Sequence, residues 1–315
     1  MLKLLKLLKD GRFHSGQALG AALGVSRSAV WKQLKHLESN LNLSVHKVPG
    51  RGYQLASPIE LLESEQLNDC LWPVAIHYSL DSTNAEALRA ISRGDTAPFL
   101  VLSEQQSAGR GRRGREWVSP FADNIYFSLV LRIDSGIRQL EGLSLVVGLA
   151  VLDALREFGC SEIGLKWPND ILASNRKIAG ILLELVGDPA DVCHVVLGIG
   201  INVNMTVAND VDQLWTSVQL ETGETINRNK LVTSLCQKLQ IYLKRLESAG
   251  FASMQAEWEQ NHLWQGRNVS LIAGTHSVEG AVLGVDGRGA LRMNVAGEEK
   301  VFSGGELSLR LRHDS

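Results

Sequence analysis

The run Gln106-Ser-Ala-Gly109-Arg110-Gly111-Arg112-Arg113-Gly114-Arg115-Glu-Trp117 admits two readings, and they lead to different folds. Gly109-x-Gly111-x-x-Gly114 matches the dinucleotide-binding fingerprint of a doubly wound sheet letter for letter. That fingerprint needs a helix opening at its end, because the pyrophosphate sits on the helix N-terminus. Here the chain continues as Glu116-Trp-Val-Ser-Pro120, with no amphipathic period and with a proline. The dinucleotide reading fails on that context. What remains is a run in which three glycines alternate with four arginines over residues 109–115. Glycine takes positive φ and lets the backbone approach a ligand closely. Arginine offers a planar, permanently charged fork that matches carboxylate and phosphate oxygens. Phe99-Leu-Val-Leu-Ser103, just before, has the pattern of a buried strand. A cationic loop therefore leaves a strand end and folds over something anionic; the bland alternative is a solvated basic loop.

Upstream, residues 1–60 form a unit of their own. Leu4, Leu5 and Leu8 fall on one face of a first helix that stops at Asp10-Gly11. Lys3, Lys6 and Lys9 interrupt any continuous apolar run, which argues against a signal peptide. A second helix ends at Gly24, and Ser26 caps a third that begins at Arg27. Val30, Leu34 and Leu37 give that helix one buried stripe. Ser26, Arg27, Ser28, Trp31, Lys32 and Lys35 fall on its polar side. The hairpin Leu43–Val48 and Tyr53–Leu55 follows, with Lys47 and Arg51 near its tip. Helix-turn-helix plus basic hairpin is a winged helix, with the third helix reading base edges and Lys47 and Arg51 meeting phosphates. A packing or protein-binding module is the alternative.

Downstream, strand and helix patterns mix. Strands are expected at 75–78, 99–103, 124–132, 162–166, 177–185 and 194–202, with helices at 85–92, 143–158, 229–248 and 251–262. Thr83 or Asn84 could cap the first of those helices or, with Ser82, grip a polar ligand. Lys166 precedes Trp167-Pro168-Asn169-Asp170 at a strand end, where α/β folds keep their sites. Gly198 and Gly200 suggest close approach of backbone or ligand. Residues 203–225 have weak patterning and are expected to form a loop that closes over a nucleotide, with Trp215 a stacking face or a buried anchor. The last fifty residues alternate in short glycine-split runs, the pattern of a small β-barrel or sandwich.

Length and composition bound the rest. At 315 residues the chain suggests two or three domains of about 100–200 residues each. No stretch is apolar over the ~18–20 residues that a membrane span needs, so no membrane partner is expected. Cys70, Cys160, Cys193 and Cys236 match no metal or redox spacing and suit a reducing, cytoplasmic compartment. The sequence has no P-loop, HExxH or GxSxG motif. Its distinctive groups are cations: Arg110, Arg112, Arg113, Arg115, Lys166 and Lys177. Such a site suits a reaction between anions, in which fixed charge screens two negative groups and stabilises the charge at phosphorus. Carboxylate activation by ATP is one such reaction.

Taken together, Gln106–Trp117, Lys166-Trp-Pro-Asn-Asp170, Asp81-Ser-Thr-Asn84 and Gly198-Ile-Gly-Ile-Asn202 resemble the biotin protein ligases. With the winged helix in front, the chain is similar to their bifunctional bacterial form, which also represses the biotin operon. The resemblance implies an α+β chain with a mixed α/β core. Its parts would be a winged helix-turn-helix at 1–60, a class II synthetase-like ligase domain at 61–264 and an SH3-like β-barrel at 265–315. It implies adenylation of biotin by ATP with Mg²⁺, then transfer from biotinyl-5′-AMP to a lysine of biotin carboxyl carrier protein. It places Ser82, Thr83, Asn84, Gln106, Arg110, Gly111, Arg112 and Lys166 on biotin, with Lys166 and Arg112 catalytic. Arg110, Arg112, Arg113, Arg115, Trp117, Asn169, Lys177, Asn202 and Trp215 would face the nucleotide. It also implies that the adenylate acts as corepressor, promoting a homodimer that binds operator DNA. A lipoate ligase, or a biotin-sensing regulator without catalysis, are the alternatives.

Overall fold

The computed structural model describes residues 2–41, 43–134, 140–188, 192–208, 211–303 and 307–311. Met1 of the first run, and Asn209 and Asp210 of the expected closing loop, lie outside the described residues.

The head is built as its sequence dictates. Helices α1 (Leu2–Leu8), α2 (Gly16–Leu23) and α3 (Arg27–Leu41) bury Leu4, Leu5, Leu8, Leu19, Val30, Leu34, Leu37 and Leu41 against one another. Ser15 Oγ accepts the Ala18 N–H at 3.0 Å and caps α2; Ser26 Oγ accepts the Ala29 N–H at 3.2 Å and caps α3. Gly24, left-handed at φ 67°, closes α2. Strands β1 (Val45–Val48) and β2 (Gly52–Leu55) pair antiparallel to make the wing.

The middle of the chain is a seven-stranded sheet. Its strands are β3 (Val74–His77), β4 (Phe99–Ser103), β5 (Ile125–Ile133), β6 (Ile163–Lys166), β7 (Asp170–Ala173), β8 (Arg176–Gly187) and β9 (Cys193–Ile201). They lie in the order β3-β4-β5-β9-β8-β7-β6. β3 and β4 run parallel, and every other neighbour is antiparallel. Helices α5 (Leu143–Glu157) and α7 (Arg228–Ala249) pack on one another and on the core of this sheet. On the other face α4 (Thr83–Arg93) covers β4, β5 and β9 through Ala87, Val101, Val130 and Val196. Beside α4 the face is left open, and the site lies there.

Several elements differ from expectation. Lys166-Trp-Pro-Asn-Asp170 does not merely end a strand; it turns into β7, with Lys166 paired to Asp170 across the hairpin. Residues 203–225 are not one loop. Leu214–Thr216 bond alongside Lys177, and Ser217 caps a short helix α6 (Val218–Thr222). The expected helix over 251–262 is a 3₁₀ turn, Phe251–Met254, followed by α8 (Gln255–Gln260). The C-terminal sheet, expected as short glycine-split runs, has five antiparallel strands: β10 (Asn268–Ala273), β11 (His276–Val285), β12 (Leu291–Val295), β13 (Glu298–Phe302) and β14 (Leu307–Leu311). Two of the cysteines, remote in sequence, touch: Cys70 and Cys236 are 2.7 Å apart at Sγ.

The connection from head to core is held by a buried cation. Arg228, fully buried at the start of α7, pairs with Glu104 at 2.8 Å and donates to the carbonyls of Asn124 and Glu60. Glu104 Oε1 also accepts the Leu62 N–H at 2.5 Å. Asn229 donates to the Leu61 carbonyl at 2.9 Å and accepts the Glu63 N–H at 2.9 Å. Lys9 of the head then pairs with Glu63 at 2.7 Å. Leu61 packs in the head's cluster and Leu62 in that of the core.

Candidate active site

The site begins at the N-terminus of α4. Ser82, rather than Thr83 or Asn84, is the cap residue, with its Oγ toward the Ala85 N–H at 3.5 Å. Thr83 and Asn84 sit in the first turn and are buried. Gln106, arriving from the end of β4, accepts the Thr83 N–H at 2.8 Å and the Thr83 hydroxyl at 3.2 Å. Its amide nitrogen donates to Ser119 at 3.0 Å. Ser82, Thr83, Asn84 and Gln106 thus line one end of a pocket floored by Gly180, Leu182, Gly198 and Gly200. Ser128 and Glu184 support this polar end through bonds to its lining residues, and no sequence motif marked them. The Ser128 hydroxyl lies 2.8 Å from Thr83 Oγ1 and 2.6 Å from Asn84 Oδ1, and Asn84 donates to Glu184 at 2.6 Å.

The glycines of β8 and β9 make room for side chains. A Cβ at Gly198 would strike the Asn84 amide, and one at Gly200 would strike the Trp117 indole at 2.5 Å. Gly180 lies opposite Gly200, and a Cβ there would crowd Lys177 and the same indole. Trp117 therefore lies flat across two strands because neither carries a side chain at that level.

Trp117 also anchors the Gly/Arg run, which folds back as a narrow hairpin. The Gly111 N–H bonds to the Arg115 carbonyl at 2.8 Å, and the Trp117 N–H to the Gly109 carbonyl at 2.9 Å. Arg113 and Gly114, both at positive φ, make its tip. A Cβ at Gly109 would collide with the Trp117 carbonyl and Ser119, so this close return requires glycine. Arg110, Gly111 and Arg112 then form part of the pocket wall. Arg112 donates to Asn169 at 2.9 Å, and Arg110 pairs with Glu184 at 3.2 Å.

On the far side of the hairpin lies a cationic cavity formed by Arg113, Arg115, Lys166, Lys177 and Arg310. Lys166 faces this space and is absent from the wall of the first pocket, so it does not touch the polar end where Ser82 and Gln106 lie. Asp170 sits between Lys177 at 2.7 Å and Lys166 at 3.6 Å. Burial pushes the Asp170 carboxyl up, but the two ammonium groups outweigh it and hold it below the usual carboxylate range. Burial also lowers Lys166 below the ordinary lysine value, against the pull of Asp170. Lys166 Nζ stands 5.0 Å from the Trp264 ring centre, and Lys177 Nζ 5.2 Å from that of Trp117. Arg310 comes from β14, a strand that the sequence pattern did not reveal.

Asn202 and Trp215 border a third space, beside Trp117 and Lys177. The Asn202 amide is spent on backbone: it donates to the carbonyls of Thr216 at 3.0 Å and Lys177 at 3.4 Å. Trp215 is half-buried and bridges to Lys177. The residues expected on DNA lie elsewhere, on the head. Ser26, Arg27, Ser28, Trp31, Lys32 and Lys35 along α3, and Lys47 and Arg51 on the wing, are all exposed. Arg51 stacks on Phe13 at 4.2 Å.

Comparison with known proteins agrees with this layout. Residues 77–202 match the biotin/lipoate A/B protein ligase family, and residues 1–54 match an HTH domain. The chain is 41% identical over 313 residues to a bifunctional ligase/repressor BirA of Salmonella typhimurium, covering 98% of this chain and 97% of that one. A biotin–[acetyl-CoA-carboxylase] ligase of Paracoccus denitrificans is 37% identical and covers 72% of this chain and 96% of its own. Among solved structures, the biotin protein ligase of Aquifex aeolicus in complex with biotin and ATP superposes with a TM-score of 0.68 at 28% identity. That match covers 76% of this chain and 99% of the other.

Proposed function

The chain belongs to the bifunctional biotin ligase/repressor family, and from that membership we infer how its own side chains divide the work. It is an ATP-dependent biotin protein ligase that forms biotinyl-5′-AMP and passes biotin to a lysine of biotin carboxyl carrier protein. It is also a repressor that binds DNA through its winged helix.

One observation carries the assignment of roles. A pocket with an uncharged polar end and a cationic cavity meet under one hairpin, with Arg112, Trp117 and Lys177 on their common wall. The biotin head suits the neutral end, where Ser82, Thr83, Asn84 and Gln106 supply donors and acceptors without net charge. The valerate carboxylate then points toward Arg112 and Lys166, and the triphosphate occupies the space of Arg113, Arg115, Lys177 and Arg310. The Trp117 indole N–H is buried without a partner among the described residues and suits a ligand acceptor. The carboxylate oxygen attacks the α-phosphorus, the bond to the β-phosphate oxygen breaks, and pyrophosphate leaves. Lys166 and Arg112 hold charge that would otherwise keep the two anions apart. The acceptor lysine, as free amine, attacks the acyl carbon and AMP departs.

Mg²⁺ accompanies the nucleotide. No cluster of three His, Cys, Asp or Glu among the described residues is arranged to hold a metal. Glu116, Asp170 and Asp212 line the cationic cavity, and two lysines already engage Asp170. Asp170 is the residue that would help to hold the ion, which would add to the charge neutralisation.

Asn202 and Trp215 support the nucleotide side as framework, Asn202 through the backbone of 214–216. The adenylate-loaded form is read as a homodimer that binds operator DNA, and the protein as cytoplasmic. No described helix is long and apolar enough to cross a membrane. The deciding experiment is pyrophosphate exchange into ATP, with biotin and separately with lipoate. Exchange with biotin alone is expected. Exchange with lipoate, or with neither, would overturn the reading.

A further inference from the structure

We propose that Glu184 is the positioning residue that holds the Gly/Arg hairpin down on the biotin pocket. The proposal rests on the reading of that pocket given above and adds a residue with no other assigned role. Glu184 stands on β8, two residues beyond Leu182 and four beyond Gly180, and so on the pocket face of the sheet. Its carboxylate has two partners, and both line the pocket. Oε2 accepts the Asn84 amide at 2.6 Å, and Oε1 pairs with Arg110 at 3.2 Å.

The first contact is fixed. Asn84 is buried, seated where Gly198 leaves room, and its Oδ1 lies 2.6 Å from the Ser128 hydroxyl. The second is exposed: the Arg110 side chain retains 44% of its accessible surface and that of Glu184 25%. An exposed ion pair between two loose side chains contributes little, because ordering both offsets the attraction. Here Asn84 has already ordered the carboxylate, so only Arg110 remains to be held. A preset acceptor for a charged donor is the arrangement in which such a bond counts. The polar chain Gln106–Thr83–Ser128–Asn84–Glu184–Arg110 is thereby continuous from the polar end of the pocket to the hairpin. Arg112, two residues along the hairpin, is held by Asn169 on the phosphate side. Glu184 and Asn169 thus hold the hairpin on its two flanks.

The test uses the full chain. Glu184→Gln keeps an oxygen for Asn84 and removes the charge that Arg110 seeks; Arg110→Gln removes the other partner. Each variant is expected to release preformed biotinyl-adenylate about tenfold faster than wild type, the scale of one charge-assisted bond. For Glu184→Gln, KM for biotin should rise similarly, while kcat for pyrophosphate exchange changes far less. The double variant should be no worse than Arg110→Gln alone, since Glu184→Gln removes only the contact that Arg110→Gln has already broken. An independent readout is limited trypsin digestion without ligand, where the variants should be cut faster at the hairpin arginines. Wild-type retention of the adenylate in Glu184→Gln, or additive losses in the double variant, would overturn the proposal while leaving the ligase reading intact. Wild-type protein that makes no adenylate from biotin and ATP would overturn both.

Discussion

At Gly200 a single methyl group would occupy the plane of the Trp117 indole, and Gly180 crowds the same ring from the neighbouring strand. Gly200→Ala is therefore expected to lift Trp117 and the hairpin it anchors, weakening biotin and ATP by about tenfold or more in titration calorimetry, on the scale of a 1–3 kcal/mol overpacking cost. Lys166 makes a different prediction because it faces only the cationic side. Lys166→Ala should slow adenylation by about 10²–10³-fold while direct biotin binding stays near wild type. Burial lowers the Lys166 pKa, so its charge is lost earlier as pH rises. Adenylation should fall on the alkaline side before an ordinary lysine, near about 10.4, would titrate; a pH–rate profile checks both. The residues legible in the sequence were those whose chemistry sits in one run, such as the alternating Gly/Arg stretch and Lys166 before Trp-Pro. Ser128, Glu184 and Arg310 were not legible. Ser128 meets Asn84 across 44 positions and Glu184 meets it across 100, and only the sheet brings them together.

At the level of elements, local signals served where the element is set locally. Ser15, Gly24 and Ser26 punctuate the head helices as their capping chemistry demands. The same chemistry misled at α4, where three polar residues in a row each could cap, and backbone geometry chose Ser82. The 214–216 segment was illegible because its order comes from Lys177 and Asn202, neither of them near in sequence. The wing carries its own prediction. Lys47 and Arg51 are exposed on it, so alanine at either should weaken operator binding across sequences and reduce the salt-dependence slope by about 1. Fluorescence anisotropy over a salt series would measure this. Substitutions at Lys32 or Lys35, on α3, should instead alter preference among operator variants.

At the scale of the whole molecule, the ligase sheet and the C-terminal sheet are joined around His262. It is buried, stacks on Trp258 at 4.7 Å and lies beside the Trp167 N–H, while the Trp167 indole donates to the Gly289 carbonyl. Burial lowers its pKa from 6.5 to about 4. Between those values the unfolded chain binds more protons than the folded one, so stability rises with pH through the window and is lost as pH falls. The full effect is about 3 kcal/mol. Urea unfolding of His262→Asn should show a loss between pH 7 and pH 4.5 that is smaller than wild type's by roughly 2 kcal/mol. Equal losses in the two proteins would show that His262 does not set the acid limb.

The anchored connection at Glu60–Glu63 bears on the operator itself. Arg228, Glu104 and Asn229 seize this segment, and Lys9 ties it to the first helix. A head mounted this way is tied to the core by buried polar contacts and not by a bare linker. In the proposed homodimer on operator DNA, the stretch between the two recognition helices would be set by how the two copies meet, and the helical phase of the two half-sites would be fixed with it. Such a reader tolerates changes in the bases between half-sites far better than changes in their number.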